Sequence, residues 1–309
     1  VRQVLYGILL KIRCITEDKQ GEGMTELLSD LRVIYDLHSH TTASDGELSP
    51  DELIDRAIEK QITVLAITDH DTTAAIQPAK NYIAEKSLPL TLISGVEIST
   101  LWENIEIHIV GLQIDIEHQA MTTCLAKQSQ CRETRAKMIG ERLAKAGIAG
   151  AWEGASALAK GGQVTRGHFA RFLVNEGHVA SVNKVFKRYL AKGKTGYVPP
   201  QWCSIGDAVT AIHQAGGVAV LAHPGRYGLS SKWLKRLVLY FKQQGGDAIE
   251  VAQCQQPPQE REQHAALAQA YDLKASLGSD FHRPCSWIEL GRNLWLPANV
   301  EPVWTLWQG

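Results

Sequence analysis

Apolar and polar positions alternate in blocks along most of the chain, and the blocks predict strands and helices in turn. The apolar, β-branched segments "RVIYDL", "ITVLAITDHD", "LPLTLISGVEIST" and "IEIHIVGLQI" are typical of strands, and "VAVLAHPGR", "DAIEVA" and "KASLGSDFH" continue the series. Segments with helical periodicity separate most of them, among them "DELIDRAIEKQ", "SIGDAVTAIHQAGG" and "KWLKRLVLYFKQQGG". This alternation predicts an α/β fold with a parallel barrel or sheet.

The first strand is followed by a loop and a clear helix start. Ser49 has the form of an N-cap, Pro50 suits the first helical position, and Glu52 is placed to close a capping box. The loop "TTASDGEL" therefore connects a strand to a helix, which is where β/α proteins carry their chemistry, and Asp45 lies on it.

Residues 117–197 interrupt the alternation with helical patterns only. "MTTCLAKQSQCRETRAKMIGERLAKAG" predicts a long amphipathic helix, and "TRGHFARFLVNEG" and "SVNKVFKRYLAKG" predict shorter ones. We therefore expect a helical insertion at 117–197 between two parts of a barrel at 31–116 and 198–309. Residues 1–30 are expected to form a poorly ordered N-terminal extension, with Met24 as a natural start ahead of the first strand.

Composition narrows the class of protein. The 309 residues carry a formal net charge of -1, but residues 127–194 hold 14 Lys and Arg against four Glu, so this segment is either a solvated helical surface or a basic binding surface. The six cysteines show no C-x-x-C pair, which indicates reduced thiols and a cytoplasmic protein. The apolar run near the N-terminus is shorter than the roughly 20 residues that span a bilayer, so we expect no membrane association.

Acidic residues and histidines gather at the predicted strand ends. A single histidine on an apolar strand is usually a hydrogen-bonded core residue, but five strand ends that converge on one rim would bury many such groups at high cost unless metal ions bound them. Ligation by histidine and carboxylate without cysteine suits Mn, Fe or Zn. The residues concerned are Asp36, His38, His40, Asp69, His70, Asp71, Glu97, His108, His223, Asp280 and His282.

These segments resemble the motifs of a known family. "DLHSHTTASDG", "LAITDHDT", "GVEIS", "IHIVG", "AHPGR" and "GSDFH" are similar, in order, to the motifs of the PHP (polymerase and histidinol phosphatase) domain, which folds as a distorted β/α barrel. "TRGHFARFL" and "GKTGYVP" in the helical insertion resemble PHP phosphoesterases that act as 3′,5′-nucleotide bisphosphatases and as 5′ to 3′ exoribonucleases of the ribonuclease AM type.

The resemblance implies three divalent metal ions, with Mn²⁺ expected first and Fe²⁺ or Zn²⁺ as alternatives. It assigns His38, His40, Glu97 and Asp280 to the first ion. It assigns Glu97, His108 and His223 to the second ion, and Asp45, His70 and His282 to the third. Asp36, Asp69 and Asp71 are expected to orient the imidazoles or to cap local structure.

A cluster of divalent ions hydrolyses phosphate esters, because it supplies hydroxide at neutral pH and neutralises the attacking and leaving oxygens. Asp280, His223 and Arg166 are the predicted catalytic residues. Arg166, His168, Lys194 and Arg226 are predicted to bind a 5′-phosphate, and Arg171, Lys187 and Arg188 either line a path for the remaining nucleic acid or are solvated. The expected partners are 5′-phosphorylated nucleotides and short RNA, including ribosomal RNA 5′ ends, with no obligate protein partner.

Three other readings remain open from the sequence. A histidinol-phosphate-type phosphatase would share the metals without the second phosphate pocket. A non-catalytic PHP metal module would keep the barrel as a platform. A plain RNA-binding protein would use the basic segment without turnover, in a salt-sensitive way.

Overall fold

The computed structural model describes residues 33–307, so the predicted extension at 1–30 lies outside the described residues. Within residues 33–307 the strands are β1 Tyr35–Asp36, β2 Val64–Ile67, β3 Thr91–Trp102, β4 Ile105–Leu112, β5 Cys203–Ser204, β6 Val218–Leu221, β7 Ala248–Ala252 and β8 Lys274–Leu277. The α-helices of the same residues are α1 Pro50–Glu59, α2 Ile76–Lys86, α3 Gln119–Lys145, α4 Ala151–Leu158, α5 Arg166–Asn175, α6 Val182–Val185, α7 Ile205–Gln214, α8 Ser231–Gln243 and α9 Pro258–Ala270.

All eight strands belong to one mixed sheet in the order β1-β2-β3-β4-β6-β7-β8, with β5 paired to β3. Most neighbours are parallel, but β4 runs antiparallel to both β3 and β6. The expectation of a wholly parallel sheet is wrong at this strand. The physical reason is a two-residue turn: Glu103 and Asn104 have φ angles of 51° and 61°, the left-handed conformations that a tight hairpin requires.

The sheet is nearly closed into a barrel by the chain segments that follow β1 and β8. Ser39 forms a parallel bridge with Phe281. The N–H of His40 donates to the carbonyl of Phe281 at 2.9 Å, and the N–H of Asp280 donates to the carbonyl of His38 at 2.9 Å. Flanking helices cover the sheet, so the predicted distorted β/α barrel with a helical insertion is the observed fold class.

The closure has a direct consequence for the predicted chemistry. His38, His40, Asp280 and His282 are brought to the same rim by these paired segments, although more than 230 residues separate the two pairs.

The predicted helix start after the Asp45 loop is confirmed. Ser49 accepts from the backbone N–H of Glu52, the side chain of Glu52 accepts from the N–H of Ser49, and Pro50 occupies the first turn. The apolar face of α1, made of Leu53, Ile54 and Ala57, is fully buried against α2 and β2. This packing fixes where the loop between β1 and α1 begins and ends.

Residues 119–190 contain α3 to α6 and a π-helical turn at Phe186–Leu190. Helix α3 joins two cores: Met121 and Leu125 belong to the barrel core, and Ile139 and Leu143 of its second half belong to a separate core with residues of α4 and α5. The short helices therefore sit over the barrel rim on one long helix. The exact limits of the predicted insertion, 117 and 197, stay a prediction.

Among residues 33–307 no helix combines the length and the apolar character that crossing a membrane requires. Cys124, Cys131, Cys203, Cys254 and Cys285 are all free thiols.

Candidate metal centre

His38 and His40 lie in the buried segment that follows β1, and both imidazoles point into the end of the barrel. Their Nε2 atoms are 3.1 Å apart. Nε2 of His40 is also 3.1 Å from Oδ1 of Asp280 and 3.3 Å from Oε2 of Glu97, and Nε2 of His38 is 3.3 and 3.4 Å from the same two oxygens. Two imidazoles and two carboxylates thus converge on one point.

Glu97 of β3 is at the centre of the site. Its Oε1 lies 2.9 Å from Nδ1 of His108 and 2.8 Å from Nε2 of His223. Its Oε2 lies 2.9 Å from Nδ1 of His70. Burial raises the pKa of Glu97, but the charges of His70, His108 and His38 outweigh it and hold that pKa well below its ordinary value.

His108 reaches Glu97 differently from the expectation. The sequence interpretation placed it near the C-terminal end of a parallel strand, but β4 is antiparallel and His108 lies opposite Ser99 in its middle. Because alternate side chains of β4 face the barrel interior, His108 and Glu106 project toward the site while Ile107 and Ile109 pack in the outer core.

The third group contains Asp45, His70 and His282, as the resemblance implies, together with His40. Oδ1 of Asp45 is 3.3 Å from Nε2 of His282 and 3.9 Å from Nε2 of His70. The other carboxylate oxygen of Asp45 accepts a hydrogen bond from Thr165 at 3.0 Å. The loop between β1 and α1 is therefore tied to the start of α5.

The side chains form three groups whose donor atoms lie within 4.8 Å of one another: His38, His40, Glu97 and Asp280; His70, Glu97 and His108; and His40, Asp45, His70 and His282. His223 contacts Glu97 without belonging to the second group, where His70 stands instead.

Several of these atoms are buried without a hydrogen-bond partner. They are Oδ1 of Asp45, Nδ1 of His70, Oε2 of Glu97 and Nδ1 of His223. Buried polar atoms are normally satisfied, and the first three lie 2.9 to 3.3 Å from another nitrogen or oxygen donor of the site. A set of nitrogen and oxygen donors with this arrangement fits divalent cations.

Strained backbone accompanies the site. His223 and Asp280 have φ angles of 28° and 53°, and Asp71, just after His70, has a φ of 53°. Residues other than glycine rarely adopt these values, and the strain is retained where surrounding structure enforces it. Here it turns the side chains that follow β6 and β8 back over the barrel end.

Glu250 of β7 is a residue that the sequence analysis did not single out. Its Oε1 lies 2.5 Å from Nδ1 of His38, and its Oε2 accepts the N–H of His223 at 2.7 Å. Although burial lowers the pKa of His38, Glu250, Glu97 and Asp280 together raise it well above its usual range. The one signal for Glu250 was a carboxylate inside the otherwise apolar strand "DAIEVA".

Asp36, Asp69 and Asp71 accept hydrogen bonds from backbone and side-chain groups around the site. Asp36 accepts from the N–H groups of Ser279 and Gly291. Asp69 accepts from Thr41 and from the hydroxyl of Ser44, and that hydroxyl lies 3.4 Å from Nδ1 of His40. Asp71 binds Arg132 and Gln128 of α3. Among these hydrogen bonds only Asp69, through Ser44, leads to an imidazole ring.

We expect Glu250→Gln to weaken metal binding or activity about 10-fold to 100-fold, because an amide is a poorer acceptor for the His38 imidazole and leaves it less basic. The measurement is the concentration of added Mn²⁺ that gives half-maximal activity. Asp247→Asn, just ahead of the same strand, should leave this midpoint unchanged, because Asp247 pairs with His213 outside the site. An equal midpoint in Glu250→Gln and the parent protein would contradict the prediction.

A cavity adjoins the metal-ligand groups through Asp45, His70 and His108, and its other wall is cationic. Arg132 and Arg135 of α3 and Arg166 of α5 all line it, with Glu106 and Trp202. Glu106 pairs with Arg166 at 2.8 Å and with Arg135 at 3.5 Å. Burial raises the pKa of Glu106, but these guanidinium groups lower it to about 2.

Arg132 and Arg135 were missed because both lie on the buried face of α3. The guanidinium carbons are 4.9 and 5.2 Å from the ring centre of Trp202. Gln128, Arg132, Arg135 and Ile139 recur at helical spacing on this face, so polar residues on an apolar stripe were the available signal.

The other predicted substrate residues lie elsewhere. Arg226 contacts Asp280 and does not line this cavity. His168 is buried, and its Nδ1 accepts the N–H of Thr165 at 3.0 Å as a helix cap; burial lowers its pKa to about 4. Lys194 is exposed and does not line the cavity. Of the four predicted residues, the structure brings only Arg166 into the cavity.

Comparison with known proteins gives consistent matches. The family model described as the PHP domain matches residues 36–198. A 5′-3′ exoribonuclease Rnm from Escherichia coli strain K12 is 66% identical over 276 residues, which cover 89% of this chain and 94% of the relative. A 3′,5′-nucleoside bisphosphate phosphatase from Chromobacterium violaceum is 41% identical over 271 residues, which cover 87% of this chain and 94% of the relative.

Solved structures agree with this similarity. An amidohydrolase from Chromobacterium violaceum, with bound sulfate and no metal, is 40% identical with a TM-score of 0.83, and the match covers 88% of this chain and 95% of that one. A candidate metal-dependent phosphoesterase from Bifidobacterium adolescentis is 29% identical with a TM-score of 0.72, covering 88% and 93% of the two chains.

Proposed function

Since the chain belongs to the PHP domain family, we propose that it is a metal-dependent phosphoesterase that hydrolyses the 3′-phosphate ester of 5′-phosphorylated nucleotides. Its proposed substrates are 3′,5′-bisphosphonucleotides and short RNA, from which it releases 5′-nucleotides beginning at the 5′ end. The observation that carries the proposal is the cavity of Arg132, Arg135 and Arg166 beside the metal-ligand groups. The relatives named as exoribonuclease and bisphosphate phosphatase support both substrate types.

We propose that three divalent ions bind, one to each of the three groups of donor atoms, with Mn²⁺ as the first choice and Fe²⁺ or Zn²⁺ as alternatives. The orphaned buried donors of Asp45, His70, Glu97 and His223 support this fit. When bound, such ions supply a nucleophile at neutral pH and neutralise the charge on the reacting phosphate. Asp280 and His223, predicted as catalytic, serve in this proposal by holding the ions or the Glu97 carboxylate.

The chain's own contribution is to bind the second phosphate at a fixed distance from the reacting one. Arg166 and Arg135 present guanidinium groups that can each form paired hydrogen bonds with a phosphate. Glu106 neutralises part of their charge and keeps both side chains extended into the cavity. A 5′-phosphate there leaves the 3′-phosphate ester beside His70 and His108, which line the same cavity.

We therefore propose Arg132 and Arg135 as additional substrate residues and give His168 a capping role. Arg226 has a different role in this proposal: its guanidinium contacts Asp280 and keeps that carboxylate oriented. Lys194 is left without a contact to the proposed substrate. Because Arg132 and Arg135 are buried and line the same cavity as the partly buried Arg166, the proposed 5′-phosphate pocket does not depend on exposed lysines.

The decisive experiment measures phosphate release from adenosine 3′,5′-bisphosphate by the purified, Mn²⁺-loaded protein, with histidinol phosphate as the competing substrate. We expect turnover of the bisphosphate, strong preference over histidinol phosphate, and loss of activity with a chelator. Preference for histidinol phosphate would favour the alternative phosphatase. Binding of RNA without turnover would favour a non-catalytic module or a plain RNA-binding protein.

We expect three metal ions per chain after loading and one fewer in Asp45→Ala, because Asp45 belongs to only one of the three groups. Elemental analysis measures this without reference to activity, and Thr42→Ala in the same loop, at a residue that belongs to none of the three groups, provides the control. An unchanged metal content in Asp45→Ala would mean that Asp45 only ties the loop to Thr165.

Ribosomal RNA 5′ ends as substrates, the absence of an obligate protein partner and a cytoplasmic location stay predictions. The first is tested by mapping the 5′ ends of ribosomal RNA in cells with and without the protein.

A further inference from the structure

A second basic cavity lies near the Asp45 loop and is distinct from the cavity lined by Arg132, Arg135 and Arg166, here called the arginine cavity. Lys160, Arg171 and Arg283 line it, with Glu47 as the one acidic side chain in the lining. The two arginines share that carboxylate, since Arg171 and Arg283 lie 3.5 and 3.6 Å from Oε1 of Glu47. One negative charge thus faces three positive ones, and the surface remains attractive to anions.

The lining of this cavity is next to the third metal-ligand group, because Gly46 and Arg283 line it and adjoin Asp45 and His282 in the chain. Arg283 follows His282 in the chain, and the N–H of Glu47 donates to the carbonyl of His282 at 2.7 Å. Arg171 donates to the carbonyl of Asp45 at 3.4 Å. The side chain of His282 is about one third exposed, at 34%, so this group is accessible to solvent.

Helix α5 separates the two cavities. Arg166, Gly167 and Phe169 line the arginine cavity, whereas His168, Arg171 and Val174 line the second one. The start of α5 lies against Asp45, where Thr165 donates to its carboxylate. The first cavity has a volume of about 140 Å³, and the second, whose lining includes Gly46 and Arg283 next to two of the metal-ligand residues, has a volume of about 420 Å³.

We propose that the second cavity, here called the chain groove, binds the RNA strand on the 3′ side of the reacting phosphate. This inference rests on the proposed function, because it takes the arginine cavity as the site of the terminal 5′-phosphate. The strand then crosses the metal-ligand groups and leaves past His282 and Arg283. A small end pocket opposite an open groove orients the chain in one direction, which gives hydrolysis from the 5′ end.

The groove recognises phosphates and not bases. Its lining offers flexible cations and aliphatic side chains such as Leu158, Val174 and Val182, and it contains no tryptophan, tyrosine or phenylalanine on which a base could stack. Binding should therefore tolerate any sequence and should weaken steeply with salt. A bisphosphonucleotide has no chain beyond its 3′-phosphate and makes no contact with the groove.

The test compares adenosine 3′,5′-bisphosphate with a 5′-phosphorylated oligoribonucleotide of about eight nucleotides, within the usual range for a single-strand site. We expect Arg283→Ala and Lys160→Ala each to lower kcat/KM on the oligonucleotide about 3-fold to 10-fold. The slope of log kcat/KM against log salt should fall by about 0.7 per cation removed. Rates on the bisphosphate should change less than 2-fold, a margin of about 0.4 kcal/mol.

Lys187→Ala is the matched control, because Lys187, like Lys160, is an exposed cation of the segment 119–190, but it lines neither cavity. Equal losses of kcat/KM on both substrates, or a loss in Lys187→Ala as large as in Arg283→Ala, would contradict the proposed role of the chain groove. Unchanged oligonucleotide rates in Arg283→Ala and Lys160→Ala would overturn it as well.

A binding measurement distinguishes failure of the chain groove from failure of the proposed activity. Fluorescence anisotropy of the labelled oligonucleotide, measured with a chelator present, reports affinity without hydrolysis. If the protein cleaves neither substrate but Arg283→Ala and Lys160→Ala bind the oligonucleotide more weakly, RNA binding by the chain groove is supported and the proposed activity is contradicted. If it cleaves both substrates and the variants bind the oligonucleotide as tightly as the parent protein, the proposed activity is supported and RNA binding by the chain groove is contradicted.

Discussion

Replacing Glu97 by glutamine should lower kcat/KM on bisphosphonucleotide and RNA alike by about 1000-fold or more, which corresponds to at least about 4 kcal/mol. Glu97 is completely buried, and its two oxygens face five imidazoles, those of His38, His40, His70, His108 and His223. It belongs to two of the three metal-ligand groups. An amide of the same shape keeps the packing but removes the negative charge that two proposed ions share.

Metal content, measured by elemental analysis, should fall together with the rate in Glu97→Gln. Glu106→Gln is the matched control, since Glu106 lines the adjacent cavity and belongs to none of the three groups; it should keep the full metal content. Circular dichroism should show both variants folded. Full metal content in Glu97→Gln with near-normal activity would remove Glu97 from the proposed centre.

The second large effect is expected from Arg166→Ala. If its guanidinium clamps the 5′-phosphate, this variant should lose about 2 to 4 kcal/mol of transition-state stabilisation on bisphosphorylated substrates, roughly 30-fold to 1000-fold in kcat/KM. A 3′-monophosphate never makes that contact, so its lower rate should change little. Arg166→Lys should restore only part of the loss, because an ammonium group cannot present a planar pair of donors.

The contact between Arg166 and Glu106 supplies a competing explanation that the same experiment resolves. If Arg166 serves only to neutralise Glu106, its loss should lower the melting temperature and slow both substrates in parallel. Metal content should be unchanged under either explanation, because Arg166 is in none of the metal-ligand groups. Arg188→Ala, an exposed arginine that lines neither cavity, should leave both rates as they are.

Local signals in the sequence were sufficient to predict most of the helices and strands of the barrel. The capping box of Ser49 and Glu52 depends on residues three apart, so it could be recognised without tertiary information, and the structure confirms it. The order and type of the main strands followed from short apolar runs between helical segments. The direction of β4 did not, because it depends on the left-handed conformations of Glu103 and Asn104, which neither residue requires by its chemistry.

The sequence by itself determined which side chains could bind metal, because histidines and carboxylates at strand ends are visible as motifs and the barrel brings strand ends together. Only the tertiary structure decided how they combine: His40 and His70 each stand in two groups, and Glu250 supports His38 from a strand 212 residues away. The lining of the arginine cavity also depends on the tertiary structure. Arg132 and Arg135 come from α3, Arg166 from α5 and Glu106 from β4, and their convergence depends on how a long helix packs across the barrel rim. Such packing depends on contacts between residues far apart in the chain, so local sequence patterns do not predict it.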